Sequence, residues 1–220
     1  MSPIWKELRL PALVTALLWL IHLVLALLDI DPGALGIYPR VWARIWGIVT
    51  APWVHGDLEH LLSNSLPLLL LLGGTRYFYR RESWAVIWVS WFGTGLWVWV
   101  AGRDAAHIGA SGVVYGLAFF LFFSGVFRRD AQAMGLALAV ALLYGGMVWG
   151  VFPIKPGLSW ESHLFGALAG IVLAYYYRRH GPPRKRYAWE DEPDEDQATD
   201  TLAPWNYKTQ TPPEGFRFPE

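Results

Sequence analysis

A serine between two glycines marks the first place where this chain could do chemistry. The stretch HIGASGVVYGLAFF, residues 107 to 120, places Ser111 at the start of an apolar segment. A serine hydroxyl is a weak nucleophile at neutral pH, and an imidazole that accepts its proton is the usual means of activation. His163, in SHLFGALAG, stands just inside another apolar segment. The two side chains could therefore form a serine–histidine pair if their segments are neighbours.

Small residues near Ser111 and His163 favour close packing of their two segments. Gly112 and Gly116 follow the serine, and Gly166 and Gly170 follow the histidine, each pair at i, i+4 spacing. Surfaces of this kind let two membrane helices approach closely. The spacing predicts that the two segments pack together, but the sequence alone does not show that they are adjacent.

Hydrogen-bond donors for a developing oxyanion are the second requirement of acyl transfer. The amide N–H of Ser111 is one candidate, because the first N–H groups of a helix lack an intrahelical acceptor and lie at its positive end. His60 and Asn64, in HGDLEHLLSNS, are four residues apart and share one helix face. Their side chains are the other candidates.

No third catalytic carboxylate is apparent. Glu161 is two residues from His163 and so lies off its face, and Asp104 falls in a loop. The chain has no cysteine, which excludes a thiol nucleophile, a disulfide framework and a thiolate zinc site. We therefore expect a dyad.

The composition places these residues in a membrane. Of 220 residues 54% are hydrophobic and 16% charged, too apolar for an ordinary soluble domain. Backbone amides in hydrocarbon must be satisfied within their own segment, so the apolar segments should be helices. The fold class predicted is an all-α polytopic membrane protein with six transmembrane helices. The spans predicted are 10–28, 58–79, 84–101, 110–127, 132–150 and 160–177.

Basic residues near the span ends predict the orientation. Twelve lie on one side and four on the other, so both termini should face the cytoplasm. The larger group is Lys6, Arg9, Arg76, Arg80, Arg81, Arg128, Arg129, Arg178, Arg179, Arg184, Lys185 and Arg186; the smaller is Arg40, Arg44, Arg103 and Lys155. Residues 181–220 are acidic and rich in proline, which is typical of a disordered cytoplasmic tail.

Taken in order, the three motifs resemble those of the rhomboid intramembrane serine proteases of the basic six-span bacterial type. The resemblance covers residues 1–180, the predicted membrane domain. The motif GxSG appears as Gly109-Ala110-Ser111-Gly112, HxxxN ends at Asn64, and HxxGxxxG runs from His163 to Gly170. One departure stands out: where the family often has Trp-Arg in the first loop, this chain has Trp46-Gly47, and Arg44 is the candidate replacement.

The resemblance implies an activity and a role for each residue. Ser111 would be the nucleophile and His163 the general base, with His60, Asn64 and the Ser111 amide in the oxyanion hole. Tyr115 would pack against the histidine. The substrates expected are single-pass transmembrane proteins, cut near the outer leaflet and entering between spans two and five. No cofactor, metal or nucleic acid is expected, and the location implied is a bacterial inner membrane.

Several other interpretations stay open. A zinc hydrolase could use His55, Asp57, Glu59 and His60, but their spacing is not HExxH. A catalytically silent rhomboid-like scaffold or chaperone is the main alternative, although such proteins usually lack the serine or the histidine. A transporter is disfavoured, since neither a buried acid nor an inverted repeat is visible.

Residues near these motifs have simpler roles in this interpretation. His55 and His107 are expected to be structural or to organise water. Pro67 removes one backbone hydrogen bond from span two. The tryptophans of loop 29–57 are expected to lie at the outer membrane interface, which suits an indole ring. They are Trp42, Trp46 and Trp53.

Overall fold

Six long helices account for most of the residues that the structure describes. The computed structural model describes residues 4–144, 149–154 and 157–180, so the predicted acidic tail lies outside the described residues. The described part is helical apart from its loops, and the all-α prediction is confirmed. The helices are α1 (Ile4–Leu27), α2 (Leu58–Phe78), α3 (Ser83–Ala101), α4 (Ser111–Arg128), α5 (Ala131–Tyr144) and α6 (Trp160–Tyr176).

Three of the helices meet a strict standard of length and apolar character for crossing a membrane, namely α1, α3 and α4. Helices α5 and α6 are shorter, with 14 and 17 residues. Helix α2 has 21 residues but carries the polar HLLSNS segment. The predicted fifth span, 132–150, is described only in part: α5 covers Ala131–Tyr144, residues 145–148 lie outside the described residues, and residues 149–151 form a 3₁₀ turn.

Buried charges explain why α1 begins at Ile4, earlier than the predicted residue 10. Glu7 is only 2% exposed and lies 3.1 Å from a guanidinium nitrogen of Arg76 and 3.5 Å from one of Arg80. A buried carboxylate requires such partners. The contact holds the first turn of α1 against the end of α2, so the polar turn remains helical.

Helix α3 is continuous but contains an irregular turn. An α-helical segment, Ser83–Trp88, leads into a π-helical turn at Val89–Gly93, and Thr94–Ala101 is α-helical again. Such π-turns are rare and often lie near functional sites. Here the turn brings Ser90 against α4, where a Cβ on Gly116 would overlap the Ser90 hydroxyl.

Helix α4 is the centre of the bundle and packs against α2, α3, α5 and α6. Its side chains Val114, Leu117, Phe120 and Leu121 are all at most 2% exposed. The contact with α6 is the closest, because a Cβ on Gly166 would overlap the Gly112 carbonyl oxygen. A Cβ on Gly170 would likewise overlap the carbonyl oxygen of Gly116. The small residues thus place α4 and α6 side by side, as their spacing predicts.

Substituting Gly166 with alanine is expected to destabilise the bundle by about 1–3 kcal/mol, since the added methyl forces two backbones apart. Equilibrium unfolding in mixed detergent micelles measures the change. Gly74→Ala is the matched control, because its Cβ would lie 3.6 Å from a Leu121 methyl, an ordinary contact. Equal stability of the two variants would contradict the close α4–α6 approach.

Candidate active site

Ser111 is the first residue of α4 and follows a turn that only glycine adopts easily. Gly109 has a φ of +103°, and its N–H donates to the Ala51 carbonyl at 2.9 Å. A Cβ at this position would lie 2.7 Å from Cε1 of His60. Gly109 therefore has two reasons to be glycine, and the turn before the serine packs directly on the His60 ring.

His163 lies in the first turn of α6 and is held on two sides. Its Nδ1 is 2.9 Å from the carbonyl oxygen of Gly150, an acceptor that requires a protonated Nδ1. The neutral ring then presents an unprotonated Nε2 as a proton acceptor. On its face, the ring stacks on Tyr115, with centroids 4.1 Å apart and planes 6° apart. The position and the tautomer of the His163 ring are therefore set by Gly150 and Tyr115.

Ser111 and His163 line one cavity of about 450 Å³. Ser111 is 9% and His163 5% exposed. The serine hydroxyl makes no hydrogen bond to another described residue. Catalytic hydrogen bonds are often long before substrate binds and shorten in the complex. The polar residues of this cavity wall are Asp57, Glu59, His60, Ser63, Ser111, Ser159 and His163.

The two residues predicted to accompany the oxyanion lie at different depths. His60 lines the cavity beside Ser111. Asn64 is buried one turn further along α2, and its side-chain amide donates to the His60 carbonyl at 2.9 Å. One N–H of that amide is used within the helix. The structure thus brings His60, Ser111 and His163 into one cavity wall and leaves Asn64 behind it.

His55 supports this wall from the interior of the protein. It is fully buried, its Nε2 lies 3.4 Å from the Ala110 amide nitrogen, and its ring meets the His60 ring edge-on at 4.9 Å. Burial lowers the pKa of His55 to about 3, so the ring is neutral and Nε2 can accept from Ala110. His55 acts on the backbone beside Ser111 and does not line the cavity.

His107 connects three segments around the site. Its backbone pairs with Ile37 of the first loop through two hydrogen bonds of 2.9 and 3.0 Å. Its ring lies 2.6 Å from the Ser159 hydroxyl and 3.1 Å from the Arg103 carbonyl. Burial lowers the pKa of His107, which favours the neutral ring. These bonds fix the approach to Ser111 and the start of α6.

The candidate acids have other partners. Glu161 is 3% exposed, lies 3.4 Å from a guanidinium nitrogen of Arg103, and accepts from the Arg103 amide at 3.3 Å. Asp104 pairs with Arg40. The group on Nδ1 of His163 is instead a backbone carbonyl. Sequence reasoning missed it because a carbonyl belongs to every residue type and leaves no signature.

The unusual Gly47 has a steric explanation. A Cβ there would overlap the Gly36 carbonyl oxygen, so the first loop of this chain leaves no room for a larger residue. Arg44 stacks its guanidinium 4.2 Å above the Tyr38 ring. In the same loop Arg40 donates to the Gly102 carbonyl at 2.8 Å. The loop is anchored by these contacts without an arginine at position 47.

The metal interpretation gains no geometric support. Within residues 4–144, 149–154 and 157–180, no three His, Asp or Glu side chains are grouped so that they could hold an ion. His55 and His60 contact each other through their rings, and the side chain of Asp57 accepts from the His60 amide as the N-cap of α2. A capping carboxylate is the ordinary use of aspartate at a helix start.

Known proteins resemble this chain in sequence. The family model of the Rhomboid domain matches residues 43–180. An uncharacterized protein of Mycobacterium tuberculosis is 35% identical over 187 residues, covering 79% of this chain and 75% of its own length. A Bacillus subtilis protein named as a candidate rhomboid protease is 27% identical, covering 73% and 82%. Human rhomboid-related protein 3 is 29% identical, covering 65% and 39%. The chain is a polytopic integral membrane protein that belongs to the rhomboid family.

Proposed function

We propose that this chain is an intramembrane serine endopeptidase that cleaves transmembrane segments of membrane-anchored proteins. Membership of the rhomboid family supports an activity of this class. The observation that carries the proposal is the cavity shared by Ser111 and His163, with Nδ1 of the histidine bound to the Gly150 carbonyl. That bond leaves Nε2 free to accept a proton, which is the property a serine nucleophile needs.

The reaction begins with proton transfer from the Ser111 hydroxyl to Nε2 of His163 as Oγ attacks the scissile carbonyl. The imidazolium then gives its proton to the leaving amine, and an acyl-enzyme remains. Water repeats the sequence with His163 as base, which releases the new carboxylate and restores the serine. The Gly150 carbonyl stabilises the Nδ1–H of the imidazolium, and Tyr115 keeps the ring in its plane.

Oxyanion stabilisation falls to groups on two helices. The Ser111 N–H lies at the positive end of α4, where amides have no intrahelical acceptor. The His60 side chain lines the same cavity, and the remaining N–H of Asn64 would reach it from one turn behind. Gly109 and Gly112 let the backbone and α6 approach closely at this point. Each donor of this kind contributes about 10²–10³ in rate in serine proteases.

The substrate must expose a peptide bond to this cavity. A helical carbonyl is already hydrogen-bonded, so segments with glycine, proline or other weak helix formers near the cut are the preferred substrates. The excess of basic residues at the opposite helix ends supports cytoplasmic termini, with cleavage near the outer leaflet. Bacterial relatives support a bacterial inner membrane as the location. Entry between α2 and α5 follows the family resemblance.

Covalent labelling tests the proposal. A fluorophosphonate probe reacts when serine Oγ attacks phosphorus and fluoride leaves, so it reports an activated hydroxyl. We expect peptide mapping of the folded protein to place the label on Ser111, and His163→Ala to lower labelling at least about 100-fold. Ser63→Ala is the control, because Ser63 lines the same cavity but donates to the His60 carbonyl. Absence of label in folded protein would favour the silent scaffold instead.

A further inference from the structure

A second cavity lies on the other side of the turn that carries Ser111. Its volume is about 230 Å³, and α1, α2 and α3 form its walls. Only apolar residues line it, with Trp84, Trp88 and Trp91 along the α3 side. It ends at Ala110 and Val113, next to the nucleophile. This cavity plays no part in the proposed reaction.

The shape of the cavity restricts what could fill it. Trp84 and Trp88 are 48% and 46% exposed, so the cavity wall continues onto the surface that faces lipid. From Trp84 to Trp91 the helix rises about 10 Å, at about 1.5 Å per residue. A cavity of about 230 Å³ is narrow over that length, whereas a helix with its side chains measures about 10–12 Å across. An extended hydrocarbon chain fits and a substrate helix does not.

Cations gather at the end of the cavity that holds Trp84. The Arg76 guanidinium lies 5.2 Å above the Trp84 ring, and its Nε and one terminal nitrogen are buried without a hydrogen-bond partner among the described residues. Arg80, 67% exposed, and Arg81 follow at the surface. The nearby acid Glu7 is buried between Arg76 and Arg80. The accessible charge at this end is therefore positive.

We propose that the cavity binds one anionic phospholipid of the leaflet on the Arg80 side, with an acyl chain inside and its phosphate at Arg80 and Arg81. A phosphodiester supplies acceptors for the exposed guanidinium groups of Arg80 and Arg81, and arginine binds phosphate in a bidentate manner. Basic pockets between transmembrane helices are known to bind lipid headgroups. The acyl chain then packs against Ala110, on the side of the turn opposite to the catalytic cavity.

Lipid retention in nanodiscs tests the site. The full-length protein is reconstituted in nanodiscs made of phosphatidylcholine and phosphatidylglycerol. It is then released from the nanodiscs and examined by native mass spectrometry. We expect one phosphatidylglycerol to remain on the wild type. Val14→Trp, which fills the cavity from α1, should lower retention at least tenfold. Leu13→Trp is the matched control, because Leu13 is 67% exposed and lies outside the cavity. Equal retention by both variants would overturn the proposal.

Headgroup recognition is tested separately. Arg80→Gln with Arg81→Gln should remove the preference for phosphatidylglycerol over phosphatidylcholine. The control is Arg178→Gln with Arg179→Gln, which removes the same two charges just after the end of α6. This variant should keep the preference for phosphatidylglycerol. Addition of phosphatidylglycerol should also raise the melting temperature of the wild type and not of Val14→Trp, because a ligand stabilises the state that binds it. Equal retention of the two lipids by wild type would overturn the headgroup assignment.

Discussion

Ser111→Ala is expected to lower cleavage of a membrane-anchored reporter by about 10⁴–10⁶-fold, as removal of the nucleophile does in other serine proteases. The hydroxyl is the only group that alanine lacks, and it makes no hydrogen bond to another described residue. Folding should therefore be unchanged, with a melting temperature close to that of the wild type. The rate is measured in proteoliposomes with a single-pass substrate.

The double variant makes this test specific for a dyad. Ser111→Ala combined with His163→Ala should be no slower than Ser111→Ala alone, because groups that act as one unit are not additive. Ser63→Ala, on the same cavity wall, should retain most of the wild-type rate. Persistent cleavage by purified Ser111→Ala would contradict the assignment of the nucleophile.

Gly150→Ala is expected to lower the same rate by about 10²–10³-fold, because a small misplacement of a catalytic group costs about 10² in rate. The added Cβ would overlap the Tyr115 hydroxyl and lie 3.1 Å from Nδ1 of His163. The ring that we propose as acceptor of the Ser111 proton would have to move. The loss should appear in kcat more than in KM, since the ring acts in the chemical step.

A second substitution that restores activity to Gly150→Ala would distinguish displacement of His163 from a general loss of folding. Tyr115→Phe removes the hydroxyl that the Gly150 methyl would overlap, so the double variant should recover at least about tenfold over Gly150→Ala. Gly135→Ala, at a position with no atom within 4 Å of the added Cβ, is the control for a new methyl and should be neutral. Failure of Tyr115→Phe to restore any activity would contradict the steric explanation.

Helix positions could be predicted well where hydrophobic content decided them. The predicted spans 84–101 and 160–177 lie within one residue of α3 and α6. The start of α1 differs from the predicted residue 10 because a tertiary contact overrode the local pattern. The ion pairs of buried Glu7 with Arg76 and Arg80 hold the polar first turns, so α1 extends to Ile4.

The site could be predicted as a set of side chains but not as a set of contacts. Motif spacing identified the side chains that meet in the cavity, His60, Ser111 and His163. It could not identify the Gly150 carbonyl, because main-chain acceptors carry no residue-type information. Nor could it indicate that Asn64 bonds back to His60, since two residues on one helix face can also contact each other.

The placement of the pair on α4 and α6 has a consequence for biosynthesis. A ribosome delivers Ser111 to the membrane some fifty residues before His163, and the Gly150 carbonyl arrives between them. No product truncated before α6 can hold Ser111 beside His163. Under the proposed function, such a product could not cut other membrane proteins, so activity would begin only after α6 has entered the bilayer.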